Sequence, residues 1–232
     1  MNLLHIVATP RGLASNTARV SSALLEELHD KYEGLSVHTL DLFNASLPAV
    51  AGTNIEAKYM LMTGQVFDEA TANSWTHIEA LISQFLQADM YLVTTPMWNF
   101  SIPYALKYYI DAIVQPGYLF KYDETGAPHG LVVGKRMICV TSRGGDYSDG
   151  PMKSYDFVES YLRAIFGFVG LTDIHFINVQ PMDISLEVRH AAQKTAITAA
   201  RAFVETTVWT SSRADSVEES DYPALKPASI IE

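Results

Sequence analysis

Apolar residues in this chain fall into short unbroken runs, separated by longer stretches in which they recur every three or four positions. The short runs lie at residues 2–8, 36–40, 90–96, 137–141 and 174–179. Runs of that length, bounded by turn residues, predict strands buried on both faces. The periodic stretches predict helices. Val20, Leu24, Leu25 and Leu28 share one face; so do Val66, Trp75, Ile78, Leu81, Ile82 and Phe85 within a helix expected over 64–87. Further helices are expected over 102–114, 152–168 and about 186–205. Residues 44–60, with Pro48 and Gly52, read as an irregular surface excursion. Residues 117–133 read as a β-hairpin with a polar turn, inserted between a helix and the fourth long strand. Strands alternating with helices imply an α/β fold in which a five-stranded parallel sheet is covered on both faces, with right-handed crossovers.

The loops at the carboxyl ends of the first, third and fourth strands are unusual. The first carries Thr9, Ser15, Asn16 and Thr17 at a helix entrance. Such side chains are ordinary N-caps, and they also stand where free N–H groups and the helix dipole favour a phosphate. The second is Pro96-Met97-Trp98-Asn99-Phe100, which reads either as a loop of core aromatics or as a wall for a planar ligand. The third is Ser142-Arg143-Gly144-Gly145, where missing Cβ atoms let backbone approach a ligand closely. In a sheet of order 2-1-3-4-5 these strands are neighbours and the loops share one crevice. Hydroxyls for a phosphate, aromatics for a ring and glycines for its far edge fit a mononucleotide with a flat heterocycle, flavin mononucleotide (FMN) being the natural candidate. Neither G-x-G-x-x-G nor a Walker-type P-loop is present in the first loop.

Charge and composition narrow the partners. A net charge of −10 with no Lys/Arg cluster argues against nucleic acid. No segment has the ~20 apolar residues of a membrane span, and the first residues have no leader pattern, so a cytoplasmic protein is expected. Cys139 is the single cysteine, which rules out an intrachain disulfide and a cysteine-rich zinc site; no metal is expected. None of the 7 histidines stands beside a nucleophile in a strand-end loop, so no Ser-His-Asp set is expected. His5, His38 and His175 read as strand residues, and His129 as either an exposed turn residue or a substrate contact. Residues 206–232 turn acidic and aperiodic, and read as a flexible tail appended to a domain spanning 1–205.

The segments Pro96-Met-Trp-Asn-Phe100, Thr141-Ser-Arg-Gly-Gly145, Ser15-Asn-Thr17 and Phe166-Gly-Phe-Val-Gly170-Leu-Thr-Asp173 together resemble the FMN-dependent NADH-azoreductase family, flavodoxin-like reductases of quinones and azo compounds. The resemblance covers residues 1 to about 203 and implies a three-layer flavodoxin-like sandwich. It also implies bound FMN, NADH or NADPH as donor, ping-pong turnover through the flavin with no catalytic side chain, and a homodimer. Thr9, Ser15, Asn16 and Thr17 would hold the phosphate. Pro96, Met97, Trp98, Asn99 and Phe100 would line the ring, and Ser142, Arg143, Gly144 and Gly145 would close its pyrimidine side. Tyr118, Phe120 and Tyr122 of the hairpin would form a lid over a flat acceptor or pack the hairpin down. Where the family commonly has serine and tyrosine, this chain has Thr9 and Trp98. Two other classes compete: a flavodoxin-type carrier docking redox proteins, and a non-catalytic scaffold on the same fold.

Overall fold

The computed structural model describes residues 1–208. In chain order its strands are β1 (Asn2–Val7), β2 (Ser36–Asp41), β3 (Met90–Pro96), β4 (Phe120–Tyr122), β5 (Pro128–Gly130), β6 (Arg136–Ser142) and β7 (Asp173–Val179). The helices are α1 (Asn16–Lys31), α2 (Thr53–Thr63), α3 (Glu69–Gln87), α4 (Tyr104–Ile113), α5 (Phe157–Phe168) and α6 (Leu186–Thr206). Five strands form a parallel sheet in the order β2-β1-β3-β6-β7, and β4 and β5 form a separate antiparallel hairpin. Counted without the hairpin, this is the expected order 2-1-3-4-5.

Alternation along each strand divides the core. Leu4, Ile6, Tyr91, Val93, Met137 and Cys139 face a layer supplied by α3, α4 and α5. Leu3, Leu92, Ile138 and Val140 face α1 and α6. Both faces of the central strands are therefore sealed, which accounts for their unbroken apolar runs. Each buried large aliphatic or aromatic side chain contributes about 1.5–3 kcal/mol by leaving water.

The excursion expected over 44–60 is partly helical, because α2 begins at Thr53. It buries only Asn54 and Ala57, so it shows no apolar stripe to read. Gly64, at φ +67°, ends α2 as its N–H bonds the Leu61 carbonyl, while the Gln65 N–H reaches Met60. Asp68 then starts α3 by accepting from the Thr71 N–H at 2.8 Å. The helix expected from Gly64 onward therefore begins only at Glu69, and Val66 lies exposed in the link between α2 and α3.

The hairpin is docked rather than free. A Cβ on Gly130 would lie 2.2 Å from the Gly170 backbone nitrogen, and the Val132 N–H bonds the Val169 carbonyl at 2.8 Å. Phe120 packs on Phe168 with ring centroids 4.7 Å apart. Close backbone contact with Gly130 and Val132, together with a φ of +105°, is the reason for Gly170 in the Phe-Gly-Phe-Val-Gly170 run. Lys31 donates to the carbonyls of Val204, Glu205 and Thr207, closing the end of α6. The acidic stretch expected to be a flexible tail lies, from residue 209 onward, outside the described residues.

Candidate functional site

The loops leaving β1, β3 and β6 meet at the carboxyl end of the sheet, where strand order reverses about β1 and β3. They enclose a hollow of about 230 Å³. Thr9, Pro10, Arg11, Ser15, Asn16 and Thr17 line it from the first loop, Pro96, Met97 and Trp98 from the second, and Ser142, Arg143 and Gly144 from the third. Met182 and Asp183 complete the wall from the segment after β7.

The first loop ends in Ser15, whose extended backbone and hydroxyl cap α1, the Oγ accepting from the Ala18 N–H at 3.4 Å. The remaining first-turn N–H groups have no acidic neighbour in that turn. Thr17 Oγ1 lies 2.6 Å from Ser142 Oγ, both side chains buried, which ties the first loop to the third. Asn16 Oδ1 accepts from Gln193 Nε2 of α6 at 2.9 Å. Hydroxyls, free helix N–H groups and the rim cation Arg11 form a donor set suited to a phosphate dianion.

The second loop is a two-residue turn. Trp98 and Ser101 exchange backbone hydrogen bonds of 2.8 and 3.0 Å across Asn99 and Phe100, whose φ values are +47° and +71°. Positive φ at both central positions is what a type I′ turn requires. Asparagine tolerates it; a phenylalanine there is strained, on the order of 1–3 kcal/mol. The turn projects Trp98 and Phe100, which are 37% and 42% exposed. Asn99 and Phe100 do not themselves line the hollow, and neither does Gly145.

Arg143 lines the hollow, yet its guanidinium is held by groups that do not. Nε and Nη2 contact Asp156 Oδ2 at 2.8 and 2.7 Å, and Nη1 donates to Thr141 Oγ1 and Asn178 Oδ1. The other Asp156 oxygen caps α5. Phe157 N–H donates to the Phe100 carbonyl at 3.0 Å, and Tyr155 packs on the Phe100 ring. The start of α5 therefore grips both the second and the third loops. A Cβ on Gly144 would stand 2.7 Å from Asp183 Oδ2, so only glycine lets the carboxylate lie against this backbone.

Beneath the hollow, His5 Nε2 is 2.8 Å from Thr94 Oγ1, which is in turn 2.6 Å from Ser21 Oγ. Burial lowers the His5 pKa to about 4, so the imidazole is neutral at pH 7. Burial also raises the Cys139 thiol well above its usual range, leaving it protonated and unreactive.

None of the three hairpin aromatics, which the sequence reads as either a lid or packing for the hairpin, lines the hollow. Tyr118 is fully buried; its hydroxyl donates to Glu79 Oε1 and accepts from Trp75 Nε1, so it belongs to the core and not to a lid. Phe120 is buried against Phe168, and Tyr122 is half exposed beside it. His129 is exposed and pairs with Asp123 at 2.6 Å within the hairpin.

Met182, Asp183 and Gln193 were not anticipated. Asp183 follows a strand that neighbours β6, a position that qualifies it geometrically, but no local pattern distinguishes it. Gln193 is one buried amide on a face otherwise made of alanines and valine, which is the only mark it leaves.

Comparison with known proteins gives consistent results. A family model described as flavodoxin-like fold matches residues 1–204. An FMN-dependent NADH:quinone oxidoreductase of Desulfotalea psychrophila is 40% identical over 179 residues, 77% of this chain and 84% of that protein. One from Ralstonia nicotianae is 37% identical over 196 residues, 84% of this chain and 93% of its own. Among solved structures, an FMN-dependent NADH-azoreductase from Bacillus anthracis in complex with FMN superposes with a TM-score of 0.76 at 27% identity, covering 88% of this chain and 99% of that one.

Proposed function

We propose that this chain, which belongs to the flavodoxin-like fold family, is an FMN-dependent NAD(P)H oxidoreductase that reduces quinones and azo compounds. The observation that carries the reading is the sharing of one hollow by a hydroxyl-lined helix N-terminus, an aromatic tight turn and a glycine loop. The names and FMN complex of its relatives support it. The residues present fit the cofactor: the donor set at α1 suits its phosphate, and Met97 and Trp98 line the hollow as an apolar and aromatic wall for a planar ring.

When bound, FMN supplies hydride acceptance from NADH or NADPH and hydride donation to the acceptor. Thr9, Ser15, Asn16 and Thr17 hold the phosphate against the positive end of α1. Pro96, Met97 and Trp98 would wall the ring, with Asn99 and Phe100 forming the turn that holds Trp98 at its edge. The backbone N–H of Gly144 would face the ring's pyrimidine edge and stabilise charge there, with those of Asn99 and Gly145 just outside the hollow and Ser142 and Arg143 fixing the loop. No side chain is needed as nucleophile or metal ligand. Donor and acceptor occupy the same space in turn, which gives ping-pong kinetics. The working unit is residues 1–205 in a cytoplasmic homodimer, and hairpin aromatics such as Tyr122 face the second copy.

Anaerobic titration of the purified, FMN-reconstituted protein with NADH and NADPH tests this. Bleaching of the flavin's visible absorption, reversed by adding a quinone, is the expected result. Colourless protein that takes up no FMN, or bound flavin that neither donor bleaches, would overturn it.

A further inference from the structure

A fourth loop reaches the site from the side. After β2, at the sheet edge, Asp41 organises the chain: its Oδ1 accepts from the Phe43 N–H at 3.0 Å and its Oδ2 from Asn44 Nδ2 at 2.8 Å. The Asn44 and Ala45 N–H groups also return to the Asp41 carbonyl. A residue so pinned has little freedom left, and the Phe43 ring is delivered to one place. There its centroid lies 5.8 Å from that of Trp98, inclined at 55°, and 5.6 Å from that of Tyr104, inclined at 81°. Trp98 and Tyr104 are themselves 6.3 Å apart. All three separations fall in the range of attractive ring contacts.

Trp98 lines the hollow, sits next to a strained turn and has more than a third of its surface exposed. Tyr104 is 70% exposed and is itself weakly held. Of the two rings behind the indole, only Phe43 is partly buried against the main core. Resting on the proposed function, we propose that Phe43 is a positioning residue: it braces the Trp98 indole so that Trp98 presents a fixed wall to the flavin ring and to a flat acceptor. Phe43 does not touch the ligand; it acts through the indole. A larger, fused-ring acceptor feels this wall more than a single ring does.

The test uses the full chain in a Trp209→Phe background, where Trp98 is accessible and Trp75 fully buried. Acrylamide quenching of indole fluorescence reports the bracing, FMN titration reports the wall, and KM for a naphthoquinone against a benzoquinone reports selectivity. Phe43→Leu is expected to raise quenching, to weaken FMN binding about fivefold and to raise the naphthoquinone KM more than the benzoquinone KM, with kcat little changed. Phe43→Tyr keeps the ring and is expected to restore all three. Phe67→Leu, which removes a half-buried ring packed on Trp75, controls for lost packing and is expected to leave FMN affinity as in the parent. Unchanged quenching in Phe43→Leu overturns the proposal, and so does raised quenching with unaltered FMN affinity. Should the parent protein bind no FMN, the proposed function falls, and quenching alone then decides whether Phe43 braces Trp98.

Discussion

Thr17 and Ser142 stand 125 positions apart in the chain, and their hydroxyl oxygens are 2.6 Å apart inside it. One hydrogen bond thereby joins the start of α1 to the end of β6. Thr17→Val leaves the Ser142 hydroxyl buried without its partner, at a cost of about 1–3 kcal/mol. The urea midpoint should fall accordingly. Thr17→Val with Ser142→Ala should cost less than the sum of the single changes, since the second removes the group the first leaves unpaired. Additive losses would show that the two hydroxyls act independently.

Arg143 poses a larger electrostatic question. Its side chain is fully buried and its partner Asp156 is only 14% exposed. Removing one partner of such a pair strands the other charge, so Arg143→Met should destabilise by about 3–5 kcal/mol. Arg143→Lys keeps the charge but cannot reproduce a fork that reaches Asp156, Thr141 and Asn178 together. It should fold and bind FMN more weakly, measurable by flavin fluorescence. An Arg143→Lys protein with wild-type flavin affinity would remove the clamp from the binding argument.

His5 makes stability depend on pH. Burial holds its folded pKa at about 4, below the ordinary histidine value of 6.5. Below 6.5 the unfolded chain takes up a proton that the native state refuses, so this contribution is complete above that pH and is lost as pH falls toward 4. Between pH 7 and pH 5 the loss is about 2 kcal/mol. Urea unfolding at the two values, compared with His5→Gln, checks it: the variant should have a visibly flatter pH dependence between them.

Two glycines should respond in opposite directions to the same change. Gly167 lies within α5, and a Cβ there meets nothing within 4 Å. Gly167→Ala should stabilise by up to about 1 kcal/mol. At Gly130 the Cβ would meet backbone at 2.2 Å. Gly130→Ala should cost about 3 kcal/mol or more and loosen the hairpin. Thermal melts of the two proteins decide between these signs.

These contrasts mark what the residues reveal before folding. Strands that are apolar at every position, such as 90–96 and 137–141, announce a sheet covered on both faces. Loops with incompatible ingredients, hydroxyls in one and paired glycines in another, announce a ligand once the sheet order brings them together. Local pattern fails where the cause is distant. α2 carries no apolar stripe because it buries only Asn54 and Ala57. The sequence leaves Tyr118 open between lid and packing because nothing near it names Glu79 and Trp75 as its partners. Gln193 joins the site through Asn16, 177 positions away, and Asp183 through the Gly144 backbone, and their neighbours in sequence carry no trace of either contact.

α5 touches the site at one end and the hairpin at the other. Asp156 holds Arg143 where the helix begins, and Gly170, just beyond its last turn, is pressed against Gly130. Its 12 residues make a rod roughly 18 Å long. A push on the hairpin must therefore shear the glycine seam or drag the rod, and dragging the rod tugs on the floor where the ring would lie. Whatever grips the hairpin from outside thus has a mechanical line to the reaction chamber, although no hairpin side chain enters it.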